Sequence, residues 1–309
     1  MPPACTRRQW LAGTAALAAA GGAPAAVRTD RPFRFMFNTA TIMGQKLPLT
    51  EQIEVAATAG YDAIEPWISD LETHKKAGKS LKDAGKQARD RGLTVESAIG
   101  FATWIVDDEA ARKKGLEQAK RDMELMQELG GTRIAAPPVG ATDKGGLDLL
   151  RVADRYRDLC ALGAKMGVIP QVELWGFSKS LSRLGETVLV AMESGHPQAC
   201  VLADVYHLYK GGSDFGGLKM LGGPSMQVFH MNDYPAGLSR QKINDADRIF
   251  PGDGVAPLVQ ILRDLHTLGF RGLLSLELFN RDYWKRDALE VAKTGLAKMK
   301  AVAAKAMAG

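Results

Sequence analysis

Residues 199–207 read Ala-Cys-Val-Leu-Ala-Asp-Val-Tyr-His, an apolar run that ends in an acidic residue. A short apolar run bounded by polar and turn-forming residues predicts a buried β-strand, here Ala199–Val205. Asp204 lies at the carboxyl end of that strand. Its carboxylate needs a partner there, because burying an unpaired charge is costly.

The same pattern ends three further predicted strands. Glu173 lies near the end of Val168–Trp175, His230 near the end of Met226–Met231, and Glu277 near the end of Gly272–Phe279. Each of these side chains alone is explained by an ion pair or a core hydrogen bond. Four of them at successive strand ends favour a shared site, because buried carboxylates repel one another unless a cation lies between them. Three carboxylates and an imidazole suit one divalent ion, Mn²⁺ before Mg²⁺, Co²⁺ or Zn²⁺.

Strand and helix patterns alternate along the rest of the chain. Further strands are predicted at Arg34–Ile42, Asp62–Ile68, Leu93–Ile99 and Thr132–Ala136. The predicted helices are Leu49–Ala59, Asp108–Leu129, Leu147–Met166, Leu181–Glu193, Ala256–Leu268 and Lys285–Ala306, with a short one at Phe215–Leu221. Alternating units imply a parallel sheet. Eight strands and no glycine-rich dinucleotide loop favour a single-domain α/β fold, a (β/α)8 TIM barrel over residues 30–309, rather than an open doubly wound sheet.

The composition narrows the classes of function. The chain has 309 residues, 46% hydrophobic residues and a formal net charge of +5, with its basic residues scattered. Because there is no basic stripe, we expect no nucleic-acid partner. The three cysteines, Cys5, Cys160 and Cys200, form no Cys-x-x-Cys pair, and we expect the last two to be free thiols.

The first 25 residues have the features of an export signal. Arg7 and Arg8 precede a short Ala- and Gly-rich stretch and the small-residue segment Ala23-Pro24-Ala25. The paired arginines resemble a twin-arginine signal. We therefore expect residues 1–25 to be a twin-arginine-type signal peptide and the mature chain to be exported to the periplasm. The stretch is too short and weakly apolar for a stable membrane span.

Several motifs together resemble the xylose-isomerase-like TIM barrels, also called the sugar phosphate isomerase/epimerase superfamily. They are Tyr61-Asp-Ala-Ile-Glu65, Asp204-Val-Tyr-His207 followed by Gly211-Gly212, His230-Met-Asn-Asp233, and Arg248-Ile-Phe-Pro-Gly-Asp-Gly254. The resemblance covers almost the whole chain after the export signal. It identifies fold and metal site but not substrate.

The resemblance implies a metal-dependent isomerase or epimerase acting on a keto-sugar or related carbohydrate. Glu173 and Glu277 resemble the family's acid and base, which move a proton by way of a metal-held enediolate. The resemblance also implies that His207 and Arg248 hold substrate oxygens. Glu65 is expected to bind substrate or pair with a lysine, and Trp67, Trp104 and Trp175 to stack on a sugar or line an apolar mouth.

Other readings of the same residues stay open. A lyase or hydro-lyase acting on an oxidised sugar or glycoside would use the same proton abstraction, and export favours it. A metal-dependent sugar-binding protein would not need both glutamates. A three-metal endonuclease of the same superfamily would need more than the five histidines present and an Asp-x-His pair. Leu174-Trp175 and Lys179 also depart from the residues that many relatives carry after the strand-five glutamate, so the substrate is not specified.

Overall fold

The computed structural model describes residues 31–308, in which eight parallel strands form one curved sheet. The strands are β1 (Arg34–Asn38), β2 (Ala63–Glu65), β3 (Thr94–Val95), β4 (Arg133–Ala136), β5 (Ile169–Glu173), β6 (Val201–Asp204), β7 (Val228–Met231) and β8 (Leu273–Leu276). Their order is β3-β2-β1-β8-β7-β6-β5-β4. Between β3 and β4, the Ala135 N–H donates to the Ala98 carbonyl at 2.9 Å. The single-domain TIM-barrel prediction is confirmed.

Helices connect successive strands. Residues 31–308 contain α1 (Leu49–Ala59), α2 (Ile68–Lys76), α3 (Leu81–Asp90), α4 (Glu109–Leu129), α5 (Leu149–Met166), α6 (Leu184–Glu193), α7 (Val205–Gly211), α8 (Leu258–Thr267) and α9 (Ala288–Met307). Short 3₁₀ helices lie at Thr39–Gln45, Phe215–Met220, Gly223–Ser225, Asp245–Asp247 and Tyr283–Lys285. None of the helices in this part of the chain is both long and apolar enough to cross a bilayer.

Local sequence explains where the longest connecting helices begin and end. The Asp108 carboxylate accepts the N–H of Ala111 at 2.6 Å and caps the start of α4. At the other end, Gly130 has a φ of +93°, a left-handed conformation that glycine adopts without strain. Asp148 caps α5 in the same way, through the N–H of Leu150 at 3.0 Å. These local contacts fix where α4 begins and ends and where α5 begins.

The structure differs from the predicted pattern between β2 and β3. Two short helices, α2 and α3, occupy a polar stretch for which no helix was predicted. Helix α2 has a weak apolar pattern, whereas the buried face of α3, Leu81, Ala84, Gly85 and Ala88, has helical spacing but consists mostly of small residues. Ser80 marks the start of α3 by accepting the N–H of Asp83. Strand β3 is also shorter than expected, and α7 follows β6 directly, before the short helix predicted there.

The interior of the barrel is packed with apolar side chains. It contains Met36, Ala63, Ile99, Ala135, Leu202, Val228 and Leu273, all of them buried. A second, larger core fills the layer between the strands and the helices. Cys160 and Cys200 are buried free thiols, which confirms their prediction. Since the lower barrel is filled, the space for a ligand lies at the carboxyl ends of the strands.

Residues 1–25, the predicted export signal, and Cys5 lie outside the described residues.

Candidate functional site

Four ligand-type side chains meet at the carboxyl ends of neighbouring strands. Glu173 and Asp204 are the last residues of β5 and β6, His230 lies in β7, and Glu277 directly follows β8. All four are buried, with exposed fractions between 0% and 4%. Asp204, His230 and Glu277 each offer one ligand atom within 4.8 Å of the others.

His230 is aimed at the three acidic members of this group. Its Nδ1 atom is buried without a hydrogen-bond partner in the described structure. Nδ1 lies 3.2 Å from an oxygen of Glu277, 3.8 Å from one of Asp204 and 3.9 Å from one of Glu173. An orphaned imidazole nitrogen surrounded by carboxylate oxygens has the composition of a metal-binding site.

The opposite ring nitrogen of His230 is held by Glu65. His230 Nε2 lies 3.0 Å from Glu65 Oε2, which also accepts hydrogen bonds from Ser275 Oγ at 2.7 Å and Asn38 Nδ2 at 2.9 Å. Glu65 is completely buried. It therefore lies behind His230 rather than in the cavity and pairs with no lysine, which corrects both expectations for this residue. Such outer carboxylates fix the orientation of a ligating histidine.

Arg248 is buried against the same carboxylates. Its Nη1 donates to Asp204 Oδ2 at 3.0 Å and Glu277 Oε2 at 2.8 Å. Its Nη2 donates to Asp245 Oδ1 at 2.5 Å and lies 3.2 Å from His207 Nε2. The structure thus brings Arg248 and His207, both predicted to bind substrate, to the edge of the acidic cluster.

Burial and mutual repulsion set the ionisation of the cluster. Burial raises the pKa of Glu173 well above its usual range, and Glu277 and Asp204 raise it further against the opposing effect of His230. Burial also acts to raise the pKa of Glu277, but His230 and Arg248 overcome it and lower that pKa to about 2. Burial lowers the pKa of His207 well below its usual value, and Arg248 adds to this. Two neighbouring carboxyl groups thus have opposite tendencies to hold a proton.

A cavity of about 210 Å³ opens above the cluster. Its lining residues are Trp67, Ile99, Phe101, Glu173, Trp175, Phe177, His207, Asp245, Arg248, Glu277 and Phe279. The predicted residues Trp67 and Trp175 are among them. Trp104 is not: it is fully buried in the outer core, and its indole Nε1 donates to the Pro137 carbonyl at 2.9 Å. The expectation that Trp104 contacts substrate or lines the mouth is therefore corrected.

Asp233 organises the loop that carries Arg248. Its two oxygens accept the backbone N–H groups of Tyr234, Gly252, Gly254 and Ala256, at 2.8 to 3.0 Å. A Cβ atom on Gly254 would lie 2.4 Å from Asp233 Oδ1, so a glycine is required there. Asp233 and Gly254 lie in motifs quoted above, but no role had been predicted for either.

Other site residues were not predicted. Asn38 ends β1 after the apolar run Phe35–Phe37 and donates to both Glu65 and Glu277. The rule that selected Asp204, a polar residue ending an apolar strand, would also have selected Asn38. Asn232 donates to Asp204 Oδ2 at 2.9 Å. Phe101 and Phe279 had no signal beyond their place after a strand.

The donor set fits a divalent cation. Three acidic side chains converge with an imidazole whose Nδ1 has no other partner. Arg248 supplies only part of the countercharge. Asp204, His230 and Glu277 are the residues that could hold the ion, with Glu65 orienting the histidine and Glu173 Oε1 lying 3.9 Å from His230 Nδ1.

Comparisons with known proteins agree with this architecture. The inosose isomerase of Bacillus velezensis is 24% identical over 278 residues, covering 88% of this chain and 98% of that protein. The 3-dehydroshikimate dehydratase of Pseudomonas aeruginosa is 28% identical over 237 residues, covering 75% of this chain but only 36% of that protein.

Solved structures share the fold. The IOLI protein, crystallised with a zinc atom, superposes with a TM-score of 0.80 at 21% identity, covering 90% of this chain and all of that one. D-psicose 3-epimerase in the presence of D-fructose gives a TM-score of 0.71 at 19% identity, covering 88% and 99%. The sequence profile of the xylose isomerase-like TIM barrel family matches residues 53–302. This chain therefore belongs to the xylose isomerase-like TIM barrel family.

Proposed function

We propose that this protein is a divalent-metal-dependent isomerase or epimerase of a small carbohydrate. The observation that carries the proposal is the set of four ligand-type side chains at the ends of β5 to β8, with His230 Nδ1 unpartnered at its centre. The inosose isomerase relative supports the class of reaction, and the zinc in the IOLI structure supports a metal.

The two glutamates divide the proton transfer. A divalent ion bound here would polarise a substrate carbonyl as a Lewis acid. One of Glu173 and Glu277 then removes the proton from the neighbouring carbon, and the other returns a proton to the same carbon or the next one. Both border the cavity, so both can reach a substrate carbon. Arg248 and His207, also in the lining, hold oxygens on which negative charge develops.

Solvent-deuterium exchange tests this proposal. Protein reconstituted with Mn²⁺ is incubated in D₂O with inosose, D-psicose or L-ribulose, and deuterium at the carbon beside the carbonyl is followed by NMR. Exchange is expected with at least one of these sugars. Glu173→Gln and Glu277→Gln should each slow turnover by roughly 10²–10⁴-fold at saturating metal, the contribution typical of general acid–base catalysis. Full rates in both variants, or no exchange with any keto-sugar, would overturn it.

Elimination is the second candidate reaction. The 3-dehydroshikimate dehydratase of Pseudomonas aeruginosa is among the relatives, and proton abstraction beside a ketone is the first step of such an elimination. In the same experiment, loss of a group from the adjacent carbon would identify a lyase. Return of the proton with retention of every substituent would identify an isomerase or epimerase.

A further inference from the structure

The mouth of the cavity has an aromatic collar, which we define as Phe279, Trp67, Phe101, Trp175 and Phe177. Successive rings are in contact, with centroid separations of 5.9, 5.0, 6.1 and 5.2 Å along this series. All five side chains border the cavity and keep some exposed surface. Phe177, at the outer end, is 41% exposed. The collar is therefore accessible from the cavity and is not part of the solvent-excluded hydrophobic core.

The collar offers few groups that could bind hydroxyls. Three of its five members are phenylalanines, and the Trp67 indole Nε1 already donates to Asn38 Oδ1 at 3.2 Å. Four polar groups of the cavity, in Glu173, Glu277, His207 and Arg248, are buried and form its floor. A fifth, in Asp245, is 40% exposed at the side chain. A free sugar covered with hydroxyls would use the floor but would leave hydroxyls unpaired against the collar, at a cost.

The floor also lacks a cation for an anionic substituent. Among the residues lining the cavity, three are carboxylates and one is a guanidinium. That guanidinium, on Arg248, is engaged by Asp204, Glu277 and Asp245. It is also covered by the rings of Tyr206 and Phe279, at 4.3 and 4.9 Å from its Cζ. The positive charge of a divalent ion bound here would be neutralised by its own carboxylate ligands. Nε is the only nitrogen of the Arg248 guanidinium that lacks a hydrogen-bond partner within the described residues, and that guanidinium is already paired with three carboxylates. A phosphate or carboxylate on the substrate would therefore meet little free positive charge.

We propose that the site takes an uncharged carbohydrate that carries a ketone and is joined to an apolar group, such as an oxidised glycoside, with the sugar on the polar side of the cavity and the apolar group on the aromatic collar. This inference deepens the proposed function and rests on it for the placement of the sugar. Apolar groups gain by leaving water and by offset or edge contacts with aromatic rings. The same collar gives no binding site to sugar phosphates or sugar acids.

Binding, rather than turnover, tests this inference. Isothermal titration of the Mn²⁺-loaded protein compares phenyl β-D-glucoside, methyl β-D-glucoside and glucose 6-phosphate. The phenyl glycoside is expected to bind about tenfold more tightly than the methyl glycoside, from the aromatic contacts it gains. Glucose 6-phosphate is expected to bind no more tightly than the methyl glycoside. Tighter binding of the phosphate, equal binding of the two glycosides, or no detectable binding of the phenyl glycoside would overturn the proposal.

A substitution locates the apolar group. Phe177→Ala removes an exposed ring at the outer end of the collar and is expected to weaken phenyl glycoside binding several-fold, with methyl glycoside binding unchanged. Met192→Ala, an exposed apolar residue of α6 outside the cavity lining, is the matched control and should change neither. If Phe177→Ala leaves the phenyl preference intact, the collar is not its binding surface. The binding measurements do not depend on proton transfer, so the two proposals can fail separately. If the glycoside preference is absent but deuterium exchange occurs, the proposed isomerase or epimerase function stands. If the preference is present but no exchange occurs, only that function is refuted.

Discussion

His230 has two ring nitrogens in different surroundings. Nε2 lies 3.0 Å from the buried Glu65 carboxylate, whereas Nδ1 faces the carboxylates of Glu173, Asp204 and Glu277 with no hydrogen-bond partner. A carboxylate behind a ligating histidine fixes its tautomer and ring orientation. Glu65 is thus a positioning residue, which acts on the site through His230.

Glu65→Gln should therefore weaken metal binding without disrupting the packing of the core. The amide keeps the size of the side chain but replaces the charged acceptor, and outer-shell changes of this kind cost roughly 10–100-fold in metal affinity. Titration of metal-free protein with Mn²⁺ measures the dissociation constant. Glu51→Gln, on the exposed surface of α1, is the control and should have no effect. An unchanged dissociation constant for Glu65→Gln would mean that Glu65 does not orient the histidine.

Asp122 carries a buried carboxyl group away from the site. Its Oδ2 has no hydrogen-bond partner in the described structure, and burial, with the nearby charge of Glu72, raises its pKa to about 6. Since its ordinary pKa is 3.8, the folded state favours the protonated form. Protonated Asp122 therefore stabilises the folded state fully below about pH 4, and this stabilisation is lost as the pH rises through about 6.

Asp122→Asn should remove that dependence. At pH 7 the free energy of unfolding of the variant is expected to exceed that of the unmodified protein by about 1–3 kcal/mol. Each unit of pKa shift corresponds to about 1.4 kcal/mol. Urea unfolding at pH 4, 5, 6 and 7 measures the difference, which should grow with pH. Glu117→Gln, on the exposed face of α4, is the control. A difference that does not change between pH 4 and pH 7 would contradict this explanation.

At the scale of elements, the loop between β7 and α8 carries Arg248, and one carboxylate binds several of its backbone N–H groups. The Asp233 carboxylate accepts four backbone N–H groups, three of them from residues 252–256 of this loop. A backbone pairing between Asp233 and Ile249 fixes the residue that follows Arg248. The position of the guanidinium therefore depends on a side chain outside the cavity.

Asp233→Asn should loosen this loop. The amide turns one acceptor oxygen into a donor that faces N–H groups, and each hydrogen bond to a charged group contributes about 1.5–3 kcal/mol. We expect the free energy of unfolding to fall by about 3 kcal/mol and cleavage by trypsin after Arg248 to accelerate. Asp282→Asn, in an exposed ion pair with Lys285, is the control. Unchanged stability and proteolysis would show that the four hydrogen bonds do not hold the loop.

The sequence predicts some elements better than others. The strands β5 to β8 were recognisable because each is an apolar run closed by a ligand-type residue. Helix α2 was missed because it is short and mostly polar. Helix α3 was missed although its buried positions have helical spacing, because three of the four are Ala or Gly and give little apolar signal. The site was predictable where a residue closes a strand. Glu65 also ends a strand, but its role depends on how close its carboxylate lies to His230 in β7. The spacing of residues along the sequence does not give that distance.

At the scale of the whole molecule, the barrel brings together side chains that are far apart in the chain. Asn38 donates to Glu277, 239 residues away, because β1 and β8 are neighbours in the sheet. The aromatic collar is assembled in the same way from residues after β2, β3, β5 and β8. Trp104 shows the limit of sequence reasoning, since a tryptophan after a strand can turn into the outer core as readily as toward the mouth.

Export is the first prediction at this scale. We propose that residues 1–25 are removed and that the mature protein is periplasmic, as Arg7, Arg8 and the following Ala-rich stretch indicate. Mass spectrometry of protein recovered from the periplasm should show an N-terminus near Ala26. Replacing both arginines with lysine should retain the full-length chain in the cytoplasm. An intact Met1 on a cytoplasmic, unmodified chain would contradict the proposal.

The metal is the central claim, and its stoichiometry tests it most directly. Elemental analysis of the purified protein, prepared without chelators, should give close to one divalent ion per chain. His230→Ala and Asp204→Asn should each lower that content, because each removes or weakens a ligand. The surface variant Glu51→Gln, purified in parallel, should retain it. One ion per chain in the unmodified protein and substantially less in both site variants is the predicted result; a metal-free protein with full activity would contradict the account.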